Sequence, residues 1–375
     1  MTQHRLPSLR VFGNPQMYSG YGQATQNICE AISKSNIDAK FIFSGPNKSF
    51  VNNLSNSDIN PKIDLYIQPP PFKKHRSNNY KIGYFYWEAD LLPKRWSKDI
   101  VSSLDEVWVP CELTKKSCIM AGFRNKIEIL PTPAHRPSGQ KIIQFSGPDK
   151  SLKISDSTFK FYSIFQWNER KGYKKLIRAY FEEFSGQENV VLILKVNPIN
   201  HKLHGLEKIK KDILKIKRFV SVRKTKLPKI FLITNNLDNK SISNIHYSCD
   251  AFVLPHNGEG WGMPIHDAIN NKNFIITTNF GGITEWLNED NSFPIDYTMT
   301  RVPEMNWNPW YANYQSWANP SLKSTKRLMR LCFSKKDSLS HKQRALSEII
   351  DKFTITSCST NVEKILSKNR FSKFI

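Results

Sequence analysis

The sequence predicts an α/β protein made of two doubly wound domains that face each other across a cleft. Three observations predict it. Short apolar runs alternate with helix-like segments in two successive series, the pattern of parallel sheets covered by helices. A polar stretch of little periodicity, His135 to Ser157, separates the two series and reads as a linker. At 375 residues the chain also exceeds one ordinary core. The expected division is a first domain over 1–147 and a second over 148–354, with a terminal helix at about 355–375 returning to the first.

The first series opens with a strand at Leu9–Gly13, a loop, a helix from about Gln23 to Ser35 and a strand at Ala39–Phe43. Asp64–Gln68, Lys81–Tyr86 and Glu106–Val109 follow, each ending at Pro, Trp or charged residues, as strand ends beside a cleft do. Lys126–Leu130 completes the series, and Pro131-Thr132-Pro133 leads into the linker. The second series begins with a strand at Phe159–Phe165, a helix from Tyr173 to Phe184 and a strand at Val190–Val196. A basic helix leads to a strand at Ile230–Thr234, and a helix around Ile242–Tyr247 leads to the apolar run Asp250–Leu254. Met263–Asn270 is helix-like, Phe274–Thr278 is a strand, and a glycine turn precedes a short helix after it. Pro294–Pro320, rich in Trp, Tyr and Pro, reads as packed loop, and the tail from Ser321 is helical in pattern.

Composition narrows the class. A hydrophobic fraction of 39%, with nine Trp and 23 Phe, suits a globular chain. No apolar run approaches the roughly 18 residues of a membrane span, and Met1–Arg10 has no signal-peptide core, so a cytoplasmic location is expected. The six cysteines are scattered without a C-x-x-C pair, which argues for reduced thiols and against structural zinc. The net charge of +23 favours anionic partners. Much of it lies in Lys202–Lys229, where lysines alternate with apolar residues at helical spacing. That segment reads as a surface helix with lysines in water, as a peripheral contact with an anionic membrane, or as a nucleic-acid contact.

The most informative stretch is Pro255–Asp267, a glycine-rich turn between a buried strand and a helix. Free amides and the helix dipole make such a turn a seat for phosphate. Glu259 at its crest and Asp267 on the helix supply acceptors for sugar or ribose hydroxyls. The competing reading is a tight packing turn. Arg170 and Lys171 stand just before Gly172 and a helix, where cations are disfavoured unless an anion binds. Lys195 ends an apolar strand, Asn235 follows another, and His256 shares the turn with Glu259. Gly20 and Gly22 precede the first helix, and Glu88 follows a strand of the first domain. No D-x-D triplet is present, so no metal-bridged diphosphate is indicated.

Taken together, these segments resemble glycosyltransferase family 4, the group 1 transferases of the GT-B fold with its two Rossmann-like domains. Glu259, seven intervening residues and Asp267 are similar to that family's paired acids. Ser19-Gly20-Tyr21-Gly22-Gln23 resembles its N-terminal glycine loop, Asn168-Glu169-Arg170-Lys171-Gly172 its phosphate clamp, and Leu130-Pro131-Thr132-Pro133 its lead-in to the linker. Gly281-Gly282-Ile283-Thr284-Glu285 is similar to its distal loop. The family has glutamate where this chain has Asp267, shorter by about 1.5 Å.

The resemblance implies transfer of a hexose-type sugar from a nucleotide-sugar donor to a glycan or glycolipid, with retention of configuration; with no D-x-D triplet, no metal or other cofactor is expected. Glu259 would hold the donor sugar, and Arg170 and Lys171 the leaving diphosphate. The amides of Gly262 and Met263 would complement that diphosphate, with Gly20, Gly22 and Gly282 beside it. Asp267 would take the ribose, Lys195, Asn235 and His256 would neighbour the nucleotide, and Glu88 would face the acceptor. Two alternatives stay open: transfer to a nucleic-acid base, and a catalytically silent module binding glycan or nucleic acid through its basic surface.

Overall fold

The computed structural model describes residues 6–15, 20–44, 54, 59–72, 77–134, 141, 144–146, 151–198, 204–222, 226–305 and 308–374. The chain forms two compact units. The first comprises Met1–His135, Arg301–Ser316 and Asp351–Ile375; the second comprises Arg136–Thr300 and Trp317–Ile350.

The first unit is built on six parallel strands: β1 (Leu9–Gly13), β2 (Ala39–Phe43), β3 (Ile63–Ile67), β4 (Tyr80–Tyr84), β5 (Glu106–Val109) and β6 (Lys126–Ile129). Their order in the sheet is β2-β1-β3-β4-β5-β6. Helices α1 (Gly20–Ser33), α2 (Lys94–Ser103) and α3 (Glu112–Met120) connect them. Strands buried on both faces need near-continuous apolar sequence, and Ile63, Leu65, Tyr66 and Ile67 of β3 are all under 2% exposed. The helix expected from Gln23 starts earlier, at Gly20. Tyr21 holds that first turn to the sheet: its ring meets Tyr86 edge-on at 5.0 Å and its hydroxyl donates to the Tyr84 carbonyl at 3.4 Å.

In the second unit, a short antiparallel ribbon of β7 (Gln144–Ser146) and β8 (Ser151–Lys153) occupies part of the stretch expected to be linker. Its anchor is Phe145, buried edge-on against Phe231 with ring centroids 6.4 Å apart. That contact is one reason the unit begins at Arg136 and not at 148. The rest of the expected linker at 135–140, 142–143 and 147–150 lies outside the described residues. The six parallel strands of this unit are β9 (Phe159–Gln166), β10 (Val190–Asn197), β11 (Lys229–Ile233), β12 (Ala251–Leu254), β13 (Phe274–Thr278) and β14 (Phe293–Ile295). They run in the order β11-β10-β9-β12-β13-β14. Helices α4 (Tyr173–Glu183), α5 (His204–Ser221), α6 (Asn239–Ser248) and α7 (Met263–Asn270) alternate with them, so both units repeat one strand-helix design.

The segment expected to be packed loop contains a pair of strands, β15 (Tyr297–Arg301) and β16 (Ser316–Pro320). Between them the chain joins the first unit, although the expected boundaries assigned it to the second domain. Aromatic contacts explain the assignment. Tyr311 stacks on Trp87 at 5.1 Å, Trp310 meets Trp96 at 4.9 Å, and the Ser316 amide donates to Asp90 at 2.6 Å. After α8 (Leu322–Ser334) and α9 (Ser340–Ile350), the chain returns again through α10 (Ile355–Leu366). Ile355, Cys358, Val362, Ile365 and Leu366 of α10 join Leu9, Val11, Ile28 and Ile32 in one apolar cluster of the first unit.

All six cysteines are buried, and none is in a disulfide among the described residues. Among the described residues, no helix is long and apolar enough to cross a membrane, and no group of three or more His, Cys, Asp or Glu is placed to hold a metal ion.

Candidate functional site

In the second unit the candidate residues gather where β9 and β12 run into their helices. After β9 the chain makes a 3-10 turn over Glu169–Lys171 and passes through Gly172 into α4. Gly172 adopts the left-handed conformation, φ 65°, and a Cβ there would overlap the Pro255 carbonyl oxygen. Only glycine lets these two turns touch. Their contact is then fastened by backbone and side chain: the Asn257 amide donates to the Arg170 carbonyl at 2.7 Å, and Arg170 Nη1 donates to the Gly258 carbonyl at 2.8 Å. Asn257 in turn accepts from the Ala318 amide at 2.9 Å.

That docking brings together the side chains the sequence singled out. Lys171 Nζ donates to Glu259 Oε2 in a short ion pair, and Arg170 Nη1 lies 3.8 Å from the same oxygen. The two turns are 88 residues apart in sequence. Glu259 is 8% exposed and Lys171 9%, so the pair is well removed from water. Burial alone would raise the Glu259 carboxyl, but the charges of Lys171 and Arg170 outweigh it and hold the group down at about 2. His256 is fully buried beside them, with no hydrogen-bond partner among the described residues at either ring nitrogen, and burial lowers it to about 3, leaving a neutral imidazole. The Thr278 hydroxyl donates to its carbonyl at 2.7 Å.

Behind Glu259, Gly281–Gly282 runs against the turn. The Gly282 amide donates to the Glu259 carbonyl at 2.8 Å, and a Cβ on Gly282 would overlap the Gly260 carbonyl. The amide of Gly282 therefore fixes the crest of the turn and is not offered to a guest. Gly262 is the N-cap of α7, with Met263 first and Pro264 second in the helix. Gly262 and Met263 thus present the first amides of the helix, and Pro264 adds none. Asp267, one turn further along α7, is partly buried, and that burial raises its carboxyl to about 7. Its carbonyl accepts from the Asn271 side chain at 3.0 Å.

The other expected residues have partners and surroundings of their own. Lys195 does not run out to water from the strand end. It is 3% exposed and donates to Asn197 Oδ1 at 2.5 Å, and burial lowers it to about 8. Asn235 is exposed two residues beyond β11. In the first unit, Gly20 and Gly22 lie inside the first turn of α1, not in a loop before it, and Ser19 is outside the described residues. Glu88, expected to face an acceptor, accepts from the Tyr311 hydroxyl at 2.8 Å. Asn168, which the sequence offers only as part of the clamp segment and with no role of its own, is 1% exposed, and among the described residues its Oδ1 has no hydrogen-bond partner. Its place beside Arg170 at a strand end was the available signal.

No protein-family model matches the chain, and no curated protein matches it in sequence. Solved structures do match its fold. Anabaena HepE, in complex with UDP-glucose, aligns with a TM-score of 0.64 at 11% identity, over 96% of this chain and 99% of that one. A glycosyltransferase from Rickettsia africae aligns at 0.62 and 14% identity, over 98% and 100%. The trehalose-6-phosphate synthase OtsA aligns at 0.65 and 9% identity, over 96% and 99%. At these identities the likeness concerns the fold, which is GT-B.

Proposed function

We propose that this chain is a glycosyltransferase that moves a hexose-type sugar from a nucleotide-sugar donor to a glycan or glycolipid hydroxyl, with retention of configuration. The observation that carries the reading is the buried Lys171–Glu259–Arg170 cluster, set at the N-terminal end of α7 by two interlocked turns. A packing turn alone has no use for a buried carboxylate held by two cations. The GT-B fold adds support, as does UDP-glucose in HepE, so a UDP-sugar is the first donor to test.

In this reading charge grows on the leaving diphosphate as the glycosidic bond breaks. Arg170, Lys171 and the first amides of α7 stabilise it in a site already shielded from water. Because these groups carry the neutralising role, the reaction needs no metal. Glu259 keeps its proton off at any working pH, so it acts as a hydrogen-bond acceptor for the donor sugar and not as a proton donor. Asp267 accepts from the ribose, and Lys195, lowered only to about 8, is still mostly an ammonium at neutral pH and attracts the nucleotide phosphates. Glu88, held by Tyr311, orients the acceptor hydroxyl.

The test is donor turnover. With UDP-glucose and related donors, Glu259→Ala is expected to lower donor hydrolysis or transfer by about 100-fold or more with the fold intact. Chelator should leave the rate unchanged, and the product's anomeric configuration reports retention. Failure of any nucleotide or nucleotide sugar to raise the melting temperature at millimolar concentration would remove the reading.

A further inference from the structure

The solvent side of α5 is a charged and partly apolar surface that the donor chemistry leaves unused. The helix carries six lysine or arginine residues against one glutamate and one aspartate. Its inner face is fixed to its own unit. Ile209 and Val220 are buried, and Asp212 accepts from Trp167 Nε1 at 3.1 Å and from the Tyr173 hydroxyl at 2.9 Å. The aspartate is therefore drawn inward, and Glu207 in the first turn is the one carboxylate left on the outer face, which stays net positive through Lys211, Lys215 and Arg218.

Lys211, Leu214, Lys215 and Arg218 recur at spacings of three and four, so they share that outer face, and Val222 continues it one residue past the helix. The apolar members are open to water: Leu214 is 49% exposed, Phe219 57% and Val222 85%. Arg178 of α4 extends the cationic area, its guanidinium 5.0 Å from the Phe219 ring centre. Isolated exposed apolar residues are ordinary. Two of them on an 18-residue helix and a third one residue past its end, interleaved with cations, make a composite surface.

We propose that this face is a membrane-surface site: Lys211, Lys215 and Arg218 engage the anionic headgroups of a bilayer while Leu214, Phe219 and Val222 enter the boundary with the acyl chains. Charge complementarity selects an anionic occupant, and the apolar residues select a lipid one. A nucleic-acid backbone rewards cations but gives nothing to an exposed leucine and valine. A helix lying flat in the interface needs both. The inference is independent of the proposed transfer reaction, because no residue in it belongs to the donor site.

The experiment is sedimentation of the full chain with phosphatidylcholine vesicles, with and without phosphatidylglycerol, beside a binding assay with duplex DNA. Binding is expected only to the anionic vesicles, and it should weaken with salt. Lys211→Gln/Lys215→Gln/Arg218→Gln should weaken it roughly 100-fold, about five-fold for each cation. Leu214→Gln/Phe219→Gln/Val222→Gln should weaken it about ten-fold or more at low salt, with UDP binding and melting temperature retained. Phe219→Gln alone should lower binding measurably, which keeps the test open should the triple variant unfold. The proposal is overturned if the wild-type chain ignores anionic vesicles or binds neutral ones equally. It is also overturned if the apolar variants bind like wild type, or if duplex DNA binds more tightly than the vesicles and is unaffected by those variants.

Discussion

Glu259 and Lys171 depend on each other. Each is buried, each is charged, and removing one leaves the other without its main partner in a site with little water. Lys171→Met is therefore expected to destabilise the second unit by about 3 kcal/mol, the lower end for a broken buried pair because Arg170 still faces the carboxylate. Adding Glu259→Gln should recover part of that loss, and a double-mutant cycle by chemical denaturation measures the coupling. Glu259 and Asp267 differ in the sign of their pH dependence. The Glu259 carboxyl is held down at about 2, so its contribution is full above its ordinary value and is lost as pH falls from about 4.5 toward 2. Asp267 is raised to about 7 from 3.8. Its folded form holds the proton that the unfolded form has released, so stability declines as pH rises from about 4 to 7 and then levels off. Asp267→Asn is accordingly expected to raise the melting temperature by a few degrees at pH 8 and by little at pH 4. A thermal scan at the two pH values checks this, and an equal shift at both would mean that the carboxylate is not the cause.

At the scale of elements, the site depends on how closely two turns approach, and Gly172 sets that distance. With φ at 65° and the Pro255 carbonyl where a Cβ would stand, Gly172→Ala must push the 3-10 turn away from Gly258. The expected cost is about 1–3 kcal/mol, with donor affinity falling as Arg170 and Lys171 lose their positions. An unchanged affinity for UDP in that variant would separate the clamp from the turn. The same scale shows what a reader of the sequence can recover. Strands β9, β10, β12 and β13 are buried on both faces, and such strands read as apolar runs bounded by turn residues. Helices α2 and α3 lack that signal: α2 buries only Trp96, Asp99 and Ile100, and α3 only Thr114, Ser117 and Cys118. The ribbons β7–β8 and β15–β16 are short and pair locally, so their residues look like loop. Glu259, Arg170 and Lys171 stood out by residue type and position. Their pairing did not, because no local pattern joins residues 88 positions apart. The pairing of Glu88 with Tyr311 was hidden for the same reason.

At the scale of the whole molecule, the first unit is assembled from three pieces of chain and the second from two. The first unit therefore cannot be complete until the last helix has been made. Helix α10 and Phe371 supply buried side chains to the cluster that holds β1 and α1, and Arg370 forms ion pairs with Glu106 and Glu128. Stopping the chain at Ile350 removes all of these and bares the Leu9, Val11, Ile28 and Ile32 surface. The six apolar residues lost, each contributing about 1.5–3 kcal/mol, together exceed what a domain of this size has to spare. The second unit keeps all of its own residues, since none of them lies beyond Ile350. The truncated protein is therefore expected to show one cooperative calorimetric transition in place of those of the full chain, with the first unit unfolded and exposed to protease. UDP should still raise the remaining transition, because every residue of the proposed phosphate seat belongs to the second unit. If truncation abolished that shift while the transition itself survived, nucleotide binding would require the first unit, and the donor site as drawn around Glu259 and Lys171 would be incomplete.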